Sequence, residues 1–389
     1  STMSSSSNSN EFPQRYIFNA SDMQEFRESS CRRDLLAYVR ALGSAASAGN
    51  PNNNNDCGNI LSASTNLALG CLWGSLCAME QWVQDIPADP SARARFGNPA
   101  FKTWHSCLQQ RSTAIVSQIL DSIENPDSNI TLEEAKALGF EAASKDATHS
   151  DETNQVIISP HVMELQAYLL DSFGHPIRID YGTGHESSFL VCLYSLSKLA
   201  SLTSKEDLQA VALGIFSQYL AVARSVQTTY MLEPAGTHGV WGLDDYYCLA
   251  FYFGACQLSK QSTIVPQSIH DAHILDEYSD KFMYLKCIQF IKQIKTNVPF
   301  FESSPMLNDI SHLASWEKIS TGLLRLYEAE VLDKLQVVQH FKFGSIFQAT
   351  WTPSQQHPAV PPTATPFSLR NTTDPADNTI TTTRAPWAT

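Results

Sequence analysis

An all-α fold is the class this sequence predicts, and three observations predict it. Apolar residues recur at alternating steps of three and four along several segments, as in Leu69, Leu72, Leu76, Met79 and Val83. Period-two alternation, the mark of half-buried strands, is nearly absent. Hydrophobic residues make up 43% and aromatic residues 10% of the 389, enough for a substantial core, while charged residues at 17% fall below the usual quarter. Polar bias at both ends reduces the folded part to one large domain, expected over residues 12–348, between a disordered 1–11 and a disordered Pro/Thr-rich tail over 349–389.

In chain order, a first helix is expected from Ser21 to Gly43, with Leu35, Leu36, Val39 and Leu42 inward. The Asn-rich run from Ala48 to Asp56 reads as a surface loop. A core helix over Ser62–Val83 carries the stripe named above, broadened by Trp73 and Trp82, and ends at Ile86-Pro87. After a turn at Arg95-Phe96-Gly97-Asn98-Pro99 comes a helix containing Phe101, Trp104 and Leu108. The acidic, polar stretch 121–155 reads as a surface insertion, with a capping box at Thr131 and Glu134 opening a short helix. A helix from His161 to Phe173 is broken by Gly174-His175-Pro176, and a Gly-bearing loop then feeds a helix with Phe189, Leu193, Leu196 and Ala200 inward. Residues 205–226 form the clearest amphipathic helix, opened by Ser204 and Asp207. Two more follow, marked by Met283, Cys287, Phe290, Ile291 and Ile294, and by Ile319, Leu323, Leu326, Tyr327 and Val331.

A formal charge of −13 argues against a nucleic-acid or anionic-membrane surface as the main partner, since both are bound through clustered Lys and Arg. The longest apolar run, Leu67–Met79, is too short for a bilayer span, so no membrane segment is predicted. Nine cysteines without a CxxC pair read as buried free thiols, and with no secretory leader pattern they place the chain in the cytoplasm or nucleus.

Candidate chemistry gathers in two glycine-bearing loops. Gly182-Thr183-Gly184 opens a helix, which either sets backbone N–H groups against a phosphate or serves as a tight turn. It lacks the third Gly of a dinucleotide fingerprint and the Gly-Lys-Ser/Thr of a P-loop. His185-Glu186 lacks the second His of a zinc helix, because Phe189 stands there. In the other loop, Gly236, Gly239 and Gly242 surround His238 and Trp241 and lead to Asp244 and Asp245. Either acid could ligate Mg²⁺, cap the following helix or act as general acid or base; His238 could carry a proton or simply bond the backbone. The aromatic run Tyr246, Tyr247, Phe251, Tyr252 and Phe253 fits core better than a ligand shelf.

Four longer motifs, RFGNPAFKTW (95–104), RIDYGTGHE (178–186), EPAGTHGVWGLDD (233–245) and VVQHFKFG (337–344), occur in one order. Together they resemble the phosphotyrosyl phosphatase activator family, activators of protein phosphatase 2A also described as peptidyl-prolyl cis/trans isomerases. The resemblance spans roughly Phe12 to Phe347, outside the Asn-rich loop, the 121–155 insertion and both tails, and the long insertion implies a fungal member of the family. It implies an all-helical fold with core, linker and lid lobes around a deep cleft. It implies ATP binding at Arg178, Thr183 and Gly184, with further contacts near Trp351 to Pro353, and Mg²⁺ near Gly239 and Asp245. Thr237-His238 stands where relatives have Ser-Gln or Ser-His, a mild departure.

The partners so implied are the phosphatase 2A catalytic subunit, a proline-containing peptide and a second copy of the chain joined through such a peptide. One reading is an ATP·Mg-dependent phosphatase chaperone that is also a prolyl isomerase, its peptide lying beside Val240, Trp241 and Asp245. Twisting an amide needs an apolar shelf and a donor rather than a nucleophile. The alternative is a pure scaffold without isomerase catalysis. An independent ATPase is disfavoured, since no motif places a general base or a phosphate-cradling Lys.

Overall fold

Asn19 opens the first helix, its side chain accepting the N–H groups of Ser21 and Asp22. The computed structural model describes residues 12–48, 60–92, 97–125, 129–145, 159–236, 239, 242–260 and 262–354. The expected single helix is two: α1 (Ala20–Glu28) and α2 (Ser30–Ser47). Ser29 separates them in extended backbone, ending α1 through its N–H to the Phe26 carbonyl and starting α2 by accepting the Arg32 N–H on Oγ. A residue that satisfies the orphan groups of both ends makes a corner cheap.

The expected core helix is α3 (Leu67–Asp85), capped by Asn66, with the whole predicted stripe buried. α4 (Ala100–Glu124) follows and runs about four turns further than its marked residues. α5 (Leu132–Ser144) opens on the predicted capping box, Thr131 with Glu134. Its position corrects the reading of 121–155 as a surface insertion: residues 121–124 complete α4, and α5 lies backbone to backbone on α3. A methyl group at Gly74 would sit 1.9 Å from the Lys136 carbonyl oxygen, and one at Gly139 would sit 1.9 Å from that of Cys71. Ser75 Oγ bridges the pair, donating to the carbonyls of Cys71 and Gly139. The face that packs is made of glycine, alanine and serine, which a polar composition conceals. Residues 126–128 and 146–158 of that stretch lie outside the described residues.

α6 (Pro160–Leu170) precedes the glycine-bearing loop, and α7 (Thr183–Leu199) leaves it. The predicted amphipathic helix begins as α8 (Lys205–Gln209), capped by Ser204, widens into a buried π-helical stretch, Ala210–Ile215, and continues as α9 (Phe216–Tyr230). The aromatic run forms α10 (Leu249–Leu258), buried on every side. Gly43 of α2 lies against the Tyr252 ring, and Gly254 lies against the backbone of Tyr284, at the start of α11 (Met283–Ile294). α12 (Trp316–Tyr327) packs on the same central helix. Among the described residues every strand is two residues long, in keeping with the predicted all-α class. No helix among them is long and apolar enough to cross a membrane.

The two ends of the domain meet. β1 (Gln14–Arg15) pairs antiparallel with Lys342–Phe343. The boundary expected at 348 moves outward: Trp351 packs on Tyr16, Phe26 and Phe343 and donates its indole N–H to the Tyr16 carbonyl, and the Ser354 N–H bonds the buried Asp22 carboxylate at 2.8 Å. The remainder of the expected tail, and residues 1–11, lie outside the described residues. The eight cysteines among the described residues are free thiols, six buried and two, Cys77 and Cys107, partly exposed.

Candidate functional site

The two glycine-bearing loops are joined by hydrogen bonds rather than by helix packing alone. Asp180–Tyr181 and Glu233–Pro234 form a two-residue parallel pair, and the Glu233 and Ala235 N–H groups donate to the carbonyls of Ile179 and Tyr181 at 3.0 and 2.7 Å. Ile179 holds a left-handed φ of 54°, unusual for a β-branched residue, and is fixed there by its N–H to the His175 carbonyl at 2.8 Å. Gly97 (φ 53°) comes so close that an added methyl group would meet Ile179 Cγ2 at 2.3 Å, while the Asn98 N–H donates to the Tyr230 carbonyl. Val337 reaches Gly184 from the fourth motif, and Lys342 pairs with Asp171 at 2.8 Å. Four motifs far apart in the chain thus converge on the N-terminus of α7. Arg95 and Phe96 of the first lie outside the described residues.

At that terminus Gly182 brings no side chain to cap the helix, so the first amides, of Thr183 and Gly184, have no side-chain acceptor. Arg178 stands at the rim, its side chain 47% exposed and its Nε 2.6 Å from Asp180 Oδ2. The other Asp180 oxygen, Oδ1, is buried without a hydrogen-bond partner, 4.0 Å from His185 Nε2. His185 Nδ1 lies 2.7 Å from the Asp171 carbonyl and must carry the proton there, since a carbonyl only accepts. Burial lowers the His185 pKa, against the pull of that bond and of Asp180 and Asp171. His340 is held down to about 4 by burial around its ring and by the charges of Arg178 and Arg15. An uncapped helix N-terminus with a basic rim suits an anion.

Behind this rim, Glu186 performs a role that sequence reading missed. Its fully buried carboxylate accepts the N–H groups of Cys248, Leu249 and Ala250 at 2.8, 3.0 and 3.0 Å, capping α10 from another helix. Burial raises its pKa to about 7 despite those three bonds. Neither Asp244 nor Asp245 caps that helix. Asp244 Oδ1 turns to the Tyr246 N–H at 2.7 Å, and burial raises its pKa to about 6. Asp245 Oδ1 is buried with no hydrogen-bond partner. Gly239 is exposed with φ 63° and open space where a side chain would be. Val240, Trp241, Thr237 and His238 lie outside the described residues, so the expected shelf beside Val240 and Trp241 has no described geometry. The aromatic run is core, as expected, with Tyr181 touching both Tyr246 and Tyr247.

A magnesium ion held mainly by phosphate oxygens and water needs only one or two protein carboxylates. The orphaned Asp245 oxygen fits that demand; among the described residues no group of three or more His, Cys, Asp or Glu side chains forms a metal cage. The 177–186 segment fits a phosphate in the same sense, through unclaimed amides and Arg178. Lys342, paired with Asp171, and His340, a neutral ring near Arg178, were not singled out from sequence. The signal was present, since His340 and Lys342 fall inside the VVQHFKFG motif.

Fold and site together define an all-helical protein whose motif loops converge on an anion-facing helix end. The description "Phosphotyrosyl phosphate activator (PTPA) protein" matches residues 13–349, and the chain belongs to that family. It is 37% identical over 338 residues to the serine/threonine-protein phosphatase 2A activator 1 of Schizosaccharomyces pombe, covering 86% of this chain and 90% of that one. It is 33% identical over 341 residues to activator 2 of Yarrowia lipolytica, covering 88% and 84%. The crystal structure of the PP2A phosphatase activator Ypa1 PTPA1 superposes with a TM-score of 0.65 at 29% identity, over 86% of this chain and 94% of that one.

Proposed function

We propose that this protein activates the protein phosphatase 2A catalytic subunit, binding it together with ATP·Mg at the junction of the 178–186 and 233–245 segments. Relatives named as phosphatase 2A activators over nearly their whole length support the partner. The observation that carries the nucleotide is the uncapped start of α7 beside Arg178, tied by the Asp180–Glu233 pair to the loop bearing the orphaned Asp245 oxygen. Arg178 and the amides of Thr183 and Gly184 would hold phosphate, and Gly239 and Asp245 would hold the metal. Bound ATP·Mg supplies a compact multiple charge that the phosphatase surface can share. The protein's own residues orient it, the strained Ile179 backbone keeping Arg178 at the rim.

Prolyl isomerase activity belongs to the same proposal, with a proline peptide beside Val240, Trp241 and Asp245, and a second copy of the chain recruited through such a peptide. The cytoplasm and nucleus are the proposed compartments. The test is capture of the phosphatase catalytic subunit by wild type and Asp245→Ala, with and without ATP·Mg, alongside a peptide isomerisation assay. Nucleotide-dependent capture lost in Asp245→Ala is expected. Capture indifferent to nucleotide sinks the ATP·Mg role, and isomerisation unchanged in a variant that no longer activates favours the pure scaffold.

A further inference from the structure

Arg224 on α9 is a partly buried guanidinium with no carboxylate partner among the described residues. Its hydrogen bond runs from Nη2 to the Cys287 thiol at 3.0 Å, and its Nε is buried with no acceptor. A thiol is a weak acceptor, the Asp244 carboxylate acts on Arg224 only through space and not in contact, and a desolvated charge without a contacting counterion is costly. The faces of Tyr247 and Phe290, 5.6 and 5.0 Å from the guanidinium carbon, relieve part of that cost. The same arginine lines a cavity of about 390 Å³, whose walls include Leu213, Leu220, Met283 and Phe290. Ligand pockets commonly combine mostly apolar walls with one or two placed polar groups, and this volume lies within their usual range.

The other charges at this cavity are engaged. Lys286 pairs with Asp280 at 2.6 Å, Lys281 Nζ lies over the Tyr278 ring at 5.2 Å, and Glu80 accepts the Gln218 amide at 2.8 Å. The cation with a buried, unsatisfied N–H beside the apolar walls is the planar Arg224 guanidinium. We propose that the cavity binds a small amphipathic monocarboxylate, its carboxylate on the Arg224 guanidinium and its apolar body against Leu213, Leu220 and Met283. The guanidinium fork matches a carboxylate in geometry. A phosphate dianion is disfavoured, because Lys286 is committed and the Glu80 carboxylate shares the wall. This ligand is independent of the nucleotide proposed for the α7 terminus, and its test leaves that reading untouched.

Calorimetric titration of the full chain with octanoate, 3-phenylpropionate, octanol and inorganic phosphate, without nucleotide, decides the matter. At least one carboxylate is expected to bind saturably at one site, with octanol and phosphate at least about tenfold weaker, the worth of a charge-assisted bond. Arg224→Gln is expected to lose about tenfold in carboxylate affinity. Ala221→Phe, which fills the cavity while keeping the charge, is expected to lose binding with an unchanged circular dichroism spectrum. No saturable binding of either carboxylate, octanol as tight as octanoate, or full affinity in a folded Arg224→Gln or Ala221→Phe overturns the proposal.

Discussion

The Glu186 carboxylate lies 2.8 Å from the Cys248 amide, 62 residues away in sequence, and takes the two following amides as well. It is the cap of α10 and the bolt between the two loops of the site, because α7 carries Glu186 and α10 is entered directly from Asp245. Removing it leaves three buried N–H groups without an acceptor. Glu186→Ala is therefore predicted to cost about 3–5 kcal/mol, since each buried unsatisfied group costs about 1–3 kcal/mol and such losses are not additive. Glu186→Gln, which keeps an acceptor oxygen, should recover part of it. Urea unfolding of the two variants measures this; a loss below 1 kcal/mol for the alanine variant would show that water replaces the cap.

The α3–α5 contact makes a second prediction. A methyl group at Gly74 or Gly139 meets backbone carbonyl oxygens, which cannot rotate aside as a side chain does. Gly74→Ala and Gly139→Ala should each destabilise by about 3 kcal/mol or more despite better helix propensity. A rise in melting temperature for either would mean that α5 does not lie on α3 in solution.

Stability should also depend on Asp244. Its folded pKa is raised by burial to about 6 from 3.8, so between these values the folded state binds the proton more tightly than the unfolded chain. The resulting stabilisation is fully present below about pH 4 and is lost as pH rises through about 6. Asp244→Asn should remove this part of the pH dependence, so that its stability relative to wild type improves on going from pH 4 to pH 7. Parallel pH profiles for the two proteins would refute it.

Arg178 is exposed enough that its loss should barely affect folding, surface ion pairs being worth about 0–1 kcal/mol. Under the proposed function, Arg178→Ala should nevertheless weaken the ATP·Mg-induced rise in melting temperature, with apparent affinity down about tenfold. An unaltered nucleotide response would remove Arg178 from the site.

Much of the fold was legible because helical periodicity is local. The stripes on α3, on the stretch from α8 to α9, and on α11 and α12 lie inward as read, except that Ile294 at the end of α11 is exposed, and the capping box at Thr131 opens α5. Boundaries were less legible where one polar residue serves two elements, as Ser29 does between α1 and α2. The 121–155 stretch was misread because its packing face is small rather than apolar: glycine and alanine bring backbones together without registering as hydrophobic. In the site, the motif residues Arg178, Thr183, Gly184 and Asp245 were named from sequence, but the acid that holds the arrangement, Glu186, was weighed only as half of a zinc motif.

The sequence by itself determined an all-helical chain with glycine-bearing loops at Gly182 and Gly239 and the motifs of one family, since residue spacing and backbone freedom are properties of short segments. Only the tertiary structure decided that those loops are joined through Asp180 and Glu233, that Glu186 rather than Asp244 or Asp245 caps α10, and that Arg224 has no carboxylate in contact among the described residues. The physical reason is that a buried charge or amide is satisfied by whatever lies nearest in space, and for these residues the partner stands tens of residues away along the chain.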